Sequence, residues 1–147
     1  MKSPYRNLAF QTIVGGVIMY LVMFVMIDRW SSFYNNLNTL YMALMMVAPM
    51  AALMIVAMPD MFPSRRINAA LLTFFAMIFF GSFALIRTQT TIGDTAFLRS
   101  MIPHHAGAIL MCEEAALEDA DVKRLCRTII ASQRAEIAEM KAMLEKR

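Results

Sequence analysis

The sequence predicts an all-α protein with three transmembrane helices followed by an extramembrane helical hairpin. The 147-residue chain is 59% hydrophobic and 17% charged, whereas an ordinary soluble domain is about 25% charged. Its charges are also uneven, because 17 of the 25 charged residues lie in the last 54 positions. The two parts of the chain therefore meet different solvents. This apolar composition, with five Gly and five Pro, excludes disordered and collagen-like chains.

Three uncharged apolar stretches define the predicted membrane domain, residues 1–87. They cover residues 8–27, 40–58 and 67–86. Each is long enough to cross a bilayer core, which takes about 20 apolar residues as a helix. The first stretch is too long for a signal peptide and has no small-residue cleavage site after it. Asp28, Arg29 and Trp30 follow it instead, as an anchor at the membrane surface.

The basic residues around the spans predict the orientation of the chain. Lys2, Arg6, Arg65 and Arg66 flank the spans on one side, and Arg29 and Arg87 on the other. The positive-inside rule places the side with four bases in the cytoplasm. We therefore expect a bacterial cytoplasmic (inner) membrane protein with a cytoplasmic N-terminus and a periplasmic hairpin. These bases meet lipid headgroups, so no nucleic-acid partner is expected.

Methionine recurs every four residues in the second span, at Met42, Met46, Met50, Met54 and Met58. Three-span copper transporters carry a Met-x-x-x-Met motif, so a metal path through the membrane is one interpretation. A four-residue repeat, however, drifts by about 40° per step around a helix. The five side chains cannot all line one pore, and we interpret them as packing or lipid-facing methionines.

After a polar linker, residues 88–93, the periodicity predicts a helical hairpin over residues 94–147. Asp94 is expected to cap the first helix, and the second helix is expected from about Asp121 to Glu145. The first helix carries two neighbouring stripes of apolar or ligating residues. The heptad stripe contains Phe97, Met101, His104, Ala108, Met111 and Ala115, and a second stripe contains Leu98, His105, Cys112 and Ala116. Heptad spacing of this kind is typical of helices that pack in bundles.

An antiparallel hairpin with its turn near Asp119 places residues equidistant from the turn at the same height. Cys112 then lies opposite Cys126, and His105 lies opposite Gln133. An oxidising compartment would allow a disulfide between the two cysteines. Two small buried thiols remain an alternative, as does Cys112 acting as an additional soft metal ligand.

Four residues of the first hairpin helix form a candidate metal site. Met101, His104, His105 and Met111 recur at helical spacing and are expected on one inward-facing side. Met140, Glu136 and Cys112 are possible supporting ligands. Thioether and imidazole together suit Cu(I) or Ag(I) better than Zn(II), Mg(II) or Ca(II).

The same stretch resembles a known family. Residues 97–111 and 129–140 are similar to the signature of domain-of-unknown-function family 305 (DUF305), which is ferritin-like and includes CopM-like periplasmic copper-binding proteins. The resemblance covers about residues 94–147. It implies that Met101, His104, His105 and Met111 are metal ligands. Members of the family carry two hairpins in a four-helix bundle, so we expect this chain's single hairpin to associate with at least one further copy.

The sequence therefore predicts a membrane-anchored extracytoplasmic protein that binds Cu(I) or Ag(I) in metal tolerance, storage or handover. It contains no Ser-His-Asp set, phosphate loop or Cys-x-x-Cys motif, so neither an enzyme nor an organic cofactor is expected. The alternative is a membrane-anchored oligomerisation module whose histidines only pack and that holds no physiological metal.

Overall fold

A computed structural model describes residues 4–147 of the chain, and this part contains five α-helices and no β-strand. The helices are α1 (Pro4–Val22), α2 (Leu37–Ala57), α3 (Arg65–Thr88), α4 (Asp94–Glu114) and α5 (Ala120–Glu145). The predicted all-α class is confirmed. Lys2, one of the bases in the orientation argument, lies outside the described residues.

Two of the described helices, α2 and α3, are long and apolar enough to cross a membrane. The first predicted span does not reach this standard, because α1 ends at Val22, five residues before the uncharged stretch does. Helix α1 also includes the polar residues Arg6, Asn7 and Gln11. A three-span domain is therefore not established by length and composition.

The helices before the hairpin form one compact unit, made of Asn38–Thr91 and the described part of Met1–Val22. Its core contains Leu8, Ala48, Ala51, Ile55, Phe62 and Phe75. Small residues let the helices approach closely, and a Cβ added at Gly15 would lie 3.5 Å from the end of Met50. The Tyr5 hydroxyl donates to the Asn68 side-chain oxygen at 2.9 Å and so ties α1 to α3.

The second compact unit contains Ile92–Arg147 together with Met23–Leu37, the connection between α1 and α2. The linear division of the sequence placed that connection in the membrane domain. In the structure Ile27 and Tyr34 pack against the core of the hairpin. The connection contains a short 3₁₀ turn, Trp30–Ser32. These two apolar side chains are partly buried here, because the hairpin alone has too little core to cover itself.

The ends of the hairpin helices are fixed by specific contacts. The Asp119 carboxylate accepts from the backbone N–H groups of Asp121 and Val122, at 2.8 and 2.9 Å, and so caps α5. The residue that caps α4 is Gly93 and not Asp94, which lies in the first helical turn. Asp94 there pairs with Arg147 at 2.8 Å, which joins the open ends of the two helices.

Candidate metal centre

His105 lies in the contact between α4 and α5, where it is 8% exposed. It follows Leu98 and Ile102 on α4 at helical spacing, and both of these are buried in the hairpin core. A cluster of buried residues, which we call the hairpin core, consists of Leu98, Ile102, Ala106, Ile109, Ile137 and Met140. The second stripe of the sequence, and not the heptad stripe, therefore faces α5.

Both ring nitrogens of His105 have defined partners. Nδ1 lies 2.8 Å from the backbone oxygen of Met101, and Nε2 lies 2.8 Å from a carboxylate oxygen of Glu136. A carbonyl oxygen can only accept, so Nδ1 carries a proton and Nε2 is the nitrogen that faces α5. Such a hydrogen bond at one ring nitrogen fixes the tautomer and the ring orientation, as is usual for histidines that ligate metals through the other nitrogen.

The His105 and Glu136 pair offers one nitrogen and one oxygen donor. A metal bound at about 2.0 Å to each fits a 2.8 Å donor separation with the two bonds near a right angle. Without a metal, 2.8 Å is the length of a hydrogen bond between the ring nitrogen and the carboxylate oxygen. The same geometry therefore accommodates either a proton or a metal ion between the two side chains.

Two thioethers adjoin this pair. Met101 precedes His105 by four residues on α4, and Met140 follows Glu136 by four residues on α5. Because the helices are antiparallel, both methionines lie one turn towards the open end of the hairpin. Met140 is 8% exposed, and Met101 is partly buried against the same hairpin core. Both thioethers therefore lie in or against the hairpin core, one helical turn from the His105 and Glu136 pair.

The other two predicted ligands point elsewhere within a single chain. His104 is exposed, and its ring centroid is 6.0 Å from that of His105 with the planes nearly perpendicular. Met111 is 55% exposed. Neighbouring residues on a helix differ by about 100° in direction, so His104 and His105 cannot both face α5. The expectation that all four residues share one inward side is therefore wrong for His104 and Met111 in one chain.

Cys112 forms a disulfide with Cys126, with a Cα–Cα distance of 5.3 Å. This confirms the predicted bridge and the antiparallel pairing from which it followed. The alternative of two buried thiols is wrong, and Cys112 has no thiolate to offer a metal. The predicted opposition of His105 and Gln133 is shifted by one helical turn, since the ring reaches Glu136, which shares that side of α5.

Among residues 4–147, no group of three or more His, Cys, Asp or Glu side chains is placed to hold one ion. His105 and Glu136 therefore supply two donors of this kind, and a third would be a methionine sulfur. A structural Zn(II) site takes four His, Cys or carboxylate ligands, and the described residues do not provide them.

The sequence reasoning did not find the connection between α1 and α2 as part of this region. Tyr34 was the available signal, as an apolar side chain in a polar loop, whereas Ile27 was assigned to the first predicted span. An ion pair across the hairpin between Glu113 and Arg134 was also not predicted from the sequence.

Comparison with known proteins gives two matches. The family described as "Domain of unknown function (DUF305)" matches residues 83–144. The chain is also similar to "Uncharacterized protein L153" of Acanthamoeba polyphaga mimivirus, with 34% identity over 115 residues, covering 76% of this chain and 73% of that protein. No solved structure matches the chain.

Proposed function

The chain belongs to the family described as domain of unknown function (DUF305), and from this starting point we propose that it is a membrane-anchored protein that binds Cu(I) or Ag(I). The proposed role is metal tolerance, storage or handover on the extracytoplasmic side. It is a binding role and not a catalytic one. The observation that carries the proposal is the buried ring of His105, held at Nδ1 by the Met101 carbonyl with Nε2 directed at Glu136.

The choice of metal follows from the softness of the neighbouring donors. Imidazole and thioether groups favour Cu(I) and related ions, whereas carboxylate-rich sites favour harder cations. Met101 and Met140 supply the sulfur in the proposed site, and His105 supplies the nitrogen. Thioethers do not form disulfides, so such a site keeps its ligands in an oxidising compartment, where Cys112 and Cys126 are already bridged.

The proposed membrane anchor is supported by the exposure of α2 and α3. Only 28% and 11% of their most apolar windows are buried, which leaves most of each window free to face lipid. If both cross the membrane, residues 23–37 and 92–147 emerge on the same side, as their packing into one unit requires. Crossing by α1 as well, the third proposed span, gives a cytoplasmic N-terminus. A reporter active only in the cytoplasm, fused after Arg147, is then expected to be inactive.

A second copy of the chain is the proposed partner of the hairpin. The heptad stripe of α4 is unpaired in one chain, with Phe97 49% and Met111 55% exposed. Leu125 on α5 is also exposed, at 58%. Two such hairpins facing each other would bury these side chains in a four-helix bundle. His104 and Met111 would then lie in the interface, where a role as ligands requires donors from the second copy.

The alternative function is an oligomerisation module without a metal. One observation favours it, because the His105 and Glu136 side chains already satisfy each other as an ion pair. A module of this kind would pair its hairpins through the heptad stripe, and the contact between His105 and Glu136 would hold α4 to α5.

Competition for Cu(I) between the full-length protein and a chelator separates the two functions. We expect the wild type to retain Cu(I) and His105→Gln to lose at least tenfold in affinity. His104→Gln is the matched control, since it removes an exposed imidazole one residue away and is expected to change the affinity less. Equal affinities for wild type and His105→Gln would contradict the proposed site and favour the oligomerisation module.

A further inference from the structure

A second site lies in the other part of the hairpin unit, between α5 and the connection from α1 to α2. It is a cleft of about 260 Å³. Its polar lining contains Asp28, Arg29, Ser31 and Ser32 from the connection, and Arg134 and Lys141 from α5. None of these residues belongs to the proposed metal centre, so the cleft needs a separate explanation.

The lining carries three cations and one carboxylate. The Asp28 side chain is 9% exposed, and its carboxylate accepts from the Ser32 hydroxyl at 3.0 Å. The Arg29 Nε lies 3.6 Å from the same carboxylate, and the Arg29 side chain is 68% exposed. The single negative charge is thus held inside the connection and does not neutralise the cleft.

The cations contributed by α5 add to this positive charge. Lys141 donates to the Ser31 hydroxyl oxygen at 3.3 Å, and no carboxylate of residues 4–147 lies within ion-pair distance of its ammonium group. Arg134 pairs with Glu113 through one terminal nitrogen, which leaves its other N–H groups available. The Ser31 oxygen accepts from Lys141, so its own hydrogen is free to donate.

We propose that this cleft binds the phosphate group of a phosphate ester. A tetrahedral oxyanion has enough acceptor oxygens to meet an ammonium, two guanidinium groups and a hydroxyl from different directions. The volume of about 260 Å³ is several times the space that one water needs. That is room for a phosphate together with its ester group.

The source of the phosphate favoured by the structure is a phospholipid headgroup. Trp30 is 86% exposed beside Arg29, and a Trp next to a basic residue is typical of the membrane–water interface. Basic pockets at this depth bind lipid headgroups. A soluble phosphate ester offers the same chemistry, and the experiment below distinguishes the two. This proposal does not depend on metal binding by the hairpin.

Trp30 is the one tryptophan of the chain and lies between Arg29 and Ser31, which both line the cleft, so its fluorescence is the readout. The full-length protein in non-ionic detergent would be titrated with short-chain phosphatidylglycerol, with short-chain phosphatidylcholine and with glycerol 3-phosphate. A saturable change with lipid alone supports the site and assigns the lipid source. A saturable change with glycerol 3-phosphate as well supports a site for phosphate esters in general. No saturable change with any of the three would overturn the proposal.

Lys141→Gln tests whether the residues that line the cleft bind the phosphate group. We expect it to weaken the affinity for the ligand that gives a saturable change at least tenfold. Lys123→Gln is the matched control, because it removes the same charge from an exposed position on the same helix. It is expected to change the affinity less than twofold. Equal losses in the two variants would mean that general charge attraction causes the signal and would overturn the cleft as a site.

Discussion

The imidazole Nε2 of His105 on α4 lies 2.8 Å from a carboxylate oxygen of Glu136 on α5. Thirty-one positions separate the two residues along the chain, and the antiparallel hairpin brings them together. His105 is nearly enclosed, whereas the Glu136 side chain is 49% exposed. An ion entering from solvent would therefore reach the carboxylate first and the ring nitrogen behind it.

Glu136→Gln tests whether the carboxylate takes part in metal binding. Gln keeps the length and shape of the side chain but removes the negative charge that attracts a cation. We expect Cu(I) affinity to fall about tenfold, corresponding to about 1.4 kcal/mol, in a competition assay with a chelator. Glu139→Gln makes the same change at an exposed position of the same helix. Equal affinities for the two variants would remove Glu136 from the site.

Met101→Leu combined with Met140→Leu tests the thioethers. Leucine keeps the approximate volume of methionine, so the hairpin core is expected to tolerate the change at a cost below about 1.5 kcal/mol per site. Loss of both sulfurs is expected to lower Cu(I) affinity by tenfold or more, measured in the same competition assay. The control is Met143→Leu, at an exposed position of α5 outside the proposed site. An equal or larger loss in the control would place the sulfur ligands elsewhere on the hairpin.

The disulfide is expected to stabilise the hairpin. Its sequence separation of 14 residues corresponds to a loop-closure contribution of about 3 kcal/mol. Cys112→Ser combined with Cys126→Ser should lower the thermal unfolding temperature of the full-length protein in detergent. Mass analysis without reductant should show the wild type two hydrogens lighter than the reduced chain. Two reactive thiols in the unreduced wild type would contradict the bridge.

Substitutions at Gly107 test whether the connection between α1 and α2 packs on the hairpin. A Cβ at this position would lie 3.5 Å from the Met26 backbone oxygen, which is an ordinary contact. We expect Gly107→Ala to be tolerated and to stabilise α4 by up to about 1 kcal/mol through helix propensity. Gly107→Leu is too large for the space and should displace the connection, making residues 23–37 more sensitive to protease. Equal protease sensitivity in both variants would show that the connection does not pack there.

The antiparallel pairing of the hairpin and its disulfide could be predicted from the sequence. Cys112 and Cys126 are equally far from the turn along the chain. Because both helices rise by the same distance per residue, the two cysteines lie at the same height in the hairpin. The side of α4 that faces its partner could not be predicted in the same way. The heptad stripe and the stripe through His105 are neighbours about 100° apart or less, and both contain apolar residues, so periodicity alone does not decide between them.

The association of residues 23–37 with the hairpin was also beyond the reach of local patterns. Contacts such as the one between Ser31 and Lys141 join positions far apart in the chain, and no periodicity links them. The end of α1 could not be predicted from the sequence either. The apolar stretch of residues 8–27 did not show that α1 would end at Val22, because the hydrophobicity continues past the end of the helix into a segment that packs on the hairpin.

X-ray absorption spectroscopy of the Cu(I)-loaded full-length protein tests the proposed metal centre most directly. The account predicts nitrogen or oxygen at about 2.0 Å and sulfur at about 2.3 Å, distances typical of closed-shell ions of this size. His105→Gln should lose the nitrogen contribution, and His104→Gln should keep it. A copper ion surrounded only by sulfur, with the same spectrum in wild type and His105→Gln, would contradict the account and move the site to other methionines of the chain.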